Sequence, residues 1–232
     1  MKNIARLLTL ALAMLLAAMP ALAAGQITIT QQTETIVEND DDCKVYVYVE
    51  LKNEGARPEK VKSALLEITD ANGETLASTE SYKCYPEILN AGETGYMVLS
   101  KKVDDVSDKD EIADCALTLV SSGDVKDELI RYDATAVLRP DDDEDSDKLY
   151  ARVTFRNPED DTLRDFVLAY AVKDESGKLL YVAGVKSGSF GLTGGSAVEL
   201  EDRVKQDIVD AAEKDGETLS KIEAIAYRVV ED

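Results

Sequence analysis

The chain has 232 residues, 26 Lys plus Arg against 47 Asp plus Glu, a formal net charge of -21, 44% hydrophobic residues, no His and no Trp. Without imidazole, every His-based triad, His metal site and His general base is excluded, which leaves Ser/Lys, Cys or carboxylate chemistry as routes to catalysis. The acidic balance repels phosphate backbones and anionic headgroups, so nucleic acid and membrane surfaces are disfavoured as partners, while an extracytoplasmic protein or a cation stays open.

The first element is an apolar run from Leu7 to Met19, preceded by Lys2 and Arg6 and followed by Pro20, Ala21, Leu22 and Ala23. Basic start, apolar middle and small residues at the end form the pattern of a signal peptide over residues 1–23, cleaved after Ala23. The run is shorter than the ~20 residues that span a bilayer, so no membrane span is expected after cleavage. The expected location is secreted, periplasmic or otherwise extracellular, where disulfides are permitted.

The remainder reads as one unit written twice. An offset of 104 places Val49, Glu50, Leu51, Lys52 and Asn53 on Val153, Thr154, Phe155, Arg156 and Asn157, and Asp70 and Gly73 on Asp174 and Gly177. Downstream, Ile112, Ala116, Leu119 and Val120 align with Ile222, Ala226, Val229 and Val230. Two tandem domains follow, 26–123 and 124–232, each of a size that supports its own core. The boundary falls at the turn-forming Ser121, Ser122, Gly123 and Asp124. The acidic run Asp141 to Asp147 aligns with a loop inside the first repeat and is therefore not the linker.

In the first repeat Val45, Val47, Val49 and Leu51 alternate with Tyr46, Tyr48, Glu50 and Lys52, the period of a half-buried antiparallel strand. A second strand is expected over Val61 to Thr69. Asp70, Ala71, Asn72 and Gly73 then turn the chain into Glu74 to Tyr82, and Pro86 stops pairing. Further strands are expected over Thr94 to Lys101 and Cys115 to Val120, with one turn or a brief helix between Val103 and Ala113. The second repeat follows the same order. Its Val204, Ile208, Ala211 and Ala212 recur at helical spacing ahead of Gly216, which predicts a helix near residues 202–215. The fold class is therefore mainly β: two tandem immunoglobulin-like β-sandwiches, the second with one additional helix.

The alternating strand ending in Asn, the Asp and Gly of the hairpin, and the Leu and Gly that open the next strand resemble FxLYD-type immunoglobulin-like modules of secreted bacterial proteins. The resemblance covers about Lys44 to Leu99 and again Lys148 to Leu200, with Leu66 to Asp70 and Leu168 to Asp174 approximating the naming tetrad. It implies a non-catalytic module with no site residues.

The side chains offer few sites. Cys43, Cys84 and Cys115 all lie in the first repeat, and a Cys43–Cys115 disulfide across the core is set against three reduced core thiols. The acidic loops Glu38 to Asp42 and Asp141 to Asp147 offer oxygen ligands, yet they are unbroken carboxylate runs without the Gly of a calcium loop, so solvated loops are favoured over calcium. Gly188, Gly191, Gly194 and Gly195 lack the Lys of a phosphate loop and read as a turn. No cofactor or catalytic residue is implied. Tyr46, Tyr48 and Tyr82 form a candidate partner surface, because exposed aromatics anchor protein partners. The leading function is a secreted non-catalytic binding or structural module of a bacterial envelope or exterior. The alternative is a small exported carboxylate-dependent hydrolase.

Overall fold

In strand β2 (Asp42–Asn53) Val45, Val47, Val49 and Leu51 are fully buried on one face, as the alternation requires. A computed structural model describes residues 26–142 and 146–231. The expected signal peptide, 1–23, lies outside the described residues, as do Asp143, Glu144 and Asp145 of the acidic run.

The chain is mainly β, with antiparallel sheets and a single α-helix among the described residues. In the first half, β1 (Ile27–Glu38), β2, β7 (Thr94–Asp104) and β5 (Tyr82–Tyr85) form one sheet in the order β1-β2-β7-β5. The facing sheet has β3 (Glu59–Thr69) at its centre, β8 (Asp114–Ser122) along one side, and β4 (Thr75–Thr79) with the short β6 (Ile88–Leu89) along the other. Val47, Leu51, Leu66, Ile68, Met97, Leu99, Leu117 and Leu119 fill the space between them. In the second half, β10 (Ala134–Pro140), β11 (Leu149–Arg156) and β14 (Ala197–Arg203) face a sheet ordered β13-β12-β15-β9. Those four are β13 (Leu179–Lys186), β12 (Phe166–Lys173), β15 (Lys221–Val230) and β9 (Glu128–Tyr132).

Positions related by the offset of 104 make the same bonds. Asn53 is fully buried; its Nδ2 donates to the carbonyls of Arg57 and Leu89, both at 2.8 Å, and its Oδ1 accepts from the Gly55 N–H at 2.8 Å. Asn157, also fully buried, donates to Asp161 and Leu192 at 2.8 Å and accepts from the Glu159 N–H at 3.0 Å. Asp70 Oδ1 accepts from the Glu74 N–H, and Asp174 Oδ1 accepts from the Lys178 N–H, both at 2.8 Å. Both turns close on a glycine at positive φ, Gly73 at 80° and Gly177 at 94°, which a side chain would strain.

Two boundaries depart from the sequence reading. The expected Glu74 to Tyr82 strand divides into β4, which pairs with β3, and β5, which crosses to pair with β7. The helix α1 spans Gln206–Lys214 rather than 202–215, because Asp202 and Arg203 are held in the β11–β14 ladder opposite Ala151 and Tyr150. Val204 enters the core and its N–H bonds the Leu149 carbonyl at 2.9 Å before the helix begins. The first-half counterpart of α1 is a single 3-10 turn, Lys109–Glu111, capped by Asp108. Among the described residues no helix is long and apolar enough to cross a membrane.

Candidate functional site

Polar and aromatic side chains of both halves gather where the two halves meet. Tyr46, Tyr48 and Glu50 share the outer face of β2. Opposite them in the neighbouring strands stand Thr33 and Thr35 of β1, and Tyr96 of β7, which in turn faces Tyr85 of β5. This face lies across β13, an edge strand of the second half, and covers that edge. Gly184 of β13 makes the approach possible, since a Cβ there would stand 2.7 Å from Cε1 of Tyr85.

One side of the junction is aromatic. The Tyr46 and Tyr48 rings are stacked and nearly parallel with centroids 6.3 Å apart, and Tyr48 meets Tyr181 at 5.7 Å, which meets Tyr170 at 6.0 Å. The Tyr46 hydroxyl donates to Asp207 Oδ2 of α1 at 3.1 Å, and Lys205 sits over the Tyr46 ring at 4.5 Å. The Tyr48 hydroxyl is buried without a partner, and burial pushes its ionisation well above the usual tyrosine range. Gln31 bridges the halves through its amide, donating to the Gly177 carbonyl at 3.4 Å and accepting from the Leu179 N–H at 2.9 Å.

The other side is ionic and borders a recess of about 290 Å³ lined by Glu50, Tyr96, Arg131, Lys173 and Glu223. Lys173 Nζ lies 2.8 Å from Glu50 Oε2 and 3.2 Å from Glu223 Oε1, joining a first-half acid to a second-half acid. The Tyr96 hydroxyl also donates to Glu223. Burial alone would raise the Glu223 carboxyl, but the Tyr96 hydroxyl and the Lys173 ammonium outweigh it and hold the group below its ordinary range. Burial would likewise lower Lys173, yet its bonds to Glu50 and Glu223 raise it. Arg131 is ion-paired to Glu93 at 3.1 Å.

These placements revise the sequence reading of the sites. Tyr46 and Tyr48 do point away from the first core, but they are only 2% and 1% exposed: the surface they contact is the second half of the same chain. Tyr82 does not join them, because it lies opposite Leu99 on the inner face and packs with the first core. Cys43, Cys84 and Cys115 are buried free thiols, so the Cys43–Cys115 disulfide is absent. Cys43 stands opposite Val103 in one sheet and Cys115 opposite Ile68 in the other, each packed as a small apolar side chain. Burial raises all three thiols, Cys115 to about 12.

In the acidic loop Glu38 to Asp42, Asp42 is held low by Lys102 at 2.8 Å and by the Asn39 amide. In the second loop Asp142 pairs with Arg139. Among the described residues no group of three or more acids or cysteines is placed to hold a metal ion. Gly188 to Gly195 lie in the connection from β13 to β14, where Leu163 and Leu192 form an isolated bridge and a Cβ on Gly194 would collide with the Asp160 carbonyl.

Sequence reasoning missed Lys173, Glu223, Asp207 and Gln31. A signal was present: Phe166 to Val172 is apolar without alternation, the mark of a strand covered on both faces, and all seven residues are buried.

No protein-family model matches the chain, and no curated protein matches it. Among solved structures it is similar to the crystal structure of red sea bream transglutaminase, at 12% identity and a TM-score of 0.23, over 86% of this chain. The chain spans 29% of the length of that protein.

Proposed function

We propose that the chain is a secreted, non-catalytic binding or structural module of a bacterial cell envelope or exterior, built as two immunoglobulin-like sandwiches joined face to edge. The observation that carries this reading is the compensation of charge in the junction recess. A carboxylate-dependent hydrolase needs one acid held protonated and another left free. Here Glu50 and Glu223 share one ammonium, and Glu223 is held low rather than raised. Groups so engaged fasten two surfaces together. The resemblance to FxLYD-type modules supports the same reading, as does the matching of Asn53 and Asn157.

Two measurements test it. Fractionation of the native cell, with mass spectrometry of the N-terminus, should find the chain outside the cytoplasm and beginning at Ala24. Incubation of that material with cell-wall polysaccharides should release no new reducing ends. Turnover that disappears in Glu50→Gln or Glu223→Gln would replace the module reading with the hydrolase.

A further inference from the structure

The two halves leave one sheet edge in different states. In the second half β15 is paired on both sides, with β12 along its length and with β9 from Ala226↔Tyr132 to Val230↔Glu128. The stretch that β9 covers aligns with Ala116 to Val120 of β8. There, among the described residues, β8 has one partner strand, β3. The cause lies in the strands before it. In the second half the chain runs along β15 as β9 and then crosses to the other sheet as β10, whereas β1 stays with β2 from Ile27 to Glu38.

The open edge presents usable backbone groups. The Ala113 N–H bonds the Thr69 carbonyl at 2.8 Å, which directs Thr69 toward β8, and the Cys115 carbonyl accepts from the Gln32 amide at 2.8 Å on the opposite side. Alternation then turns the N–H and C=O of Leu117 and Leu119 away from β3 and toward the edge. Natural edge strands are guarded by charge, proline or brevity. Residues Cys115 to Ser122 contain no charged side chain, in a chain that is 31% charged. Other edges carry charge or are short: Glu34 stands on β1 and Arg139 on β10, and β4 has five residues.

We propose that two copies of this chain pair through β8, antiparallel, about a two-fold axis at Thr118. In this register Leu117 stands opposite Leu119 of the second copy, and both are already directed outward, so four backbone hydrogen bonds close without repacking either core. On the exposed face Thr118 meets Thr118 and Ala116 meets Val120, pairs that favour a sheet. Asp114 meets Ser122 rather than another acid. The contact is thus an uncharged strip between two acidic molecules, and the dimer tightens as salt screens their mutual repulsion. This inference goes beyond the module reading and does not depend on it, since an enzyme with this edge would pair in the same way.

Sedimentation velocity of the exported chain at physiological salt should show a monomer–dimer equilibrium. Thr118→Lys alters an exposed position and reduces the net negative charge, yet it sets two like charges face to face, so the dissociation constant should rise at least about tenfold. Thr118→Glu should behave alike, and mixing the two variants should restore a heterodimer. Thr118 pairs across a non-hydrogen-bonded site with Cα atoms ~4.5 Å apart, within disulfide reach, so Thr118→Cys should give a covalent dimer under mild oxidation. Circular dichroism should find all three variants melting close to the parent, as surface substitutions do. A parent that stays monomeric at every concentration overturns the proposal and leaves the edge to an extended segment of another protein. A dimer that Thr118→Lys leaves intact, or a Thr118→Cys chain that does not cross-link, overturns it as well.

Discussion

The two halves agree in their turns and differ in their outer surfaces. Asn53 and Asn157 each gather three backbone groups at the end of a central strand, and Gly73 and Gly177 close the same turn. Yet the outer face of β2 is covered by the second half, whereas Glu199 and Glu201, on the outer side of β14, remain in solvent or half exposed, paired to Arg152. The matching residues carry over what a strand and its turn need locally. What covers a face or an edge is decided by the neighbour, and the neighbours of the two halves are not equivalent.

The largest expected effect lies at the face that only the first half buries. Tyr48→Ala removes a fully packed ring from between Tyr46 and Tyr181 and should cost about 3–5 kcal/mol in urea unfolding. Tyr48→Phe should act in the opposite direction, because the hydroxyl has no partner and its burial is a net cost of about 1 kcal/mol. The second-half Tyr170→Phe gives up a 2.7 Å bond to Asp202 and should lose about 1 kcal/mol. If Tyr48→Ala costs no more than a surface substitution, the halves do not meet in solution as described.

Next in size is the feature the halves share. Asn53→Ala and Asn157→Ala each strand two carbonyls and one N–H in a buried site, so each should lose about 3 kcal/mol, measured as the shift in urea midpoint at constant slope. Equal losses sharpen the equivalence of the halves. A loss at Asn53 several times that at Asn157 would mean that matching bonds carry unequal weight, and that the repeat is one of geometry alone.

Strand existence was legible because valine alternation and Asp-to-Gly turns are local signals, and Val45 to Leu51 or Asp174 to Gly177 needed no distant partner to declare themselves. The division of β4 from β5 was not, since nothing between Thr79 and Tyr82 announces which sheet the next residue joins. Tyr46 and Tyr48 were assigned to the correct face, and that face was read as free because alternation reports sidedness without reporting what covers each side. The cysteines illustrate the same limit: their strand positions could be inferred, but whether two side chains meet across a core depends on the stagger of two sheets. Mass spectrometry of the unreduced, denatured chain should therefore count three alkylatable thiols, and the native chain should react slowly because burial keeps all three protonated. A single alkylatable thiol would restore the disulfide.

The smallest effect concerns the ionic side of the junction, and its sign can be worked out group by group. Glu223 is depressed in the folded chain, so its contribution is present above the unfolded value of ~4.3 and is lost as pH falls through the folded value. Lys173 is elevated, so its contribution is present below ~10.4 and is lost as pH rises through the folded value. Between about pH 5 and 10 both are in place. Lys173→Met should then cost about 1–2 kcal/mol at pH 7, a modest figure because the Glu223 side chain is 53% exposed and screened by water. Other depressed carboxyls, Asp42, Asp70 and Asp174, also weaken the parent in acid, so the informative quantity is the difference between parent and variant. In the variant Glu223 loses its cation, its protonation no longer breaks a bond to it, and the difference should shrink from pH 7 to pH 3. A difference that stays constant over that range would assign Lys173 the role of a packed aliphatic stem, with its charge contributing nothing to holding the two halves together.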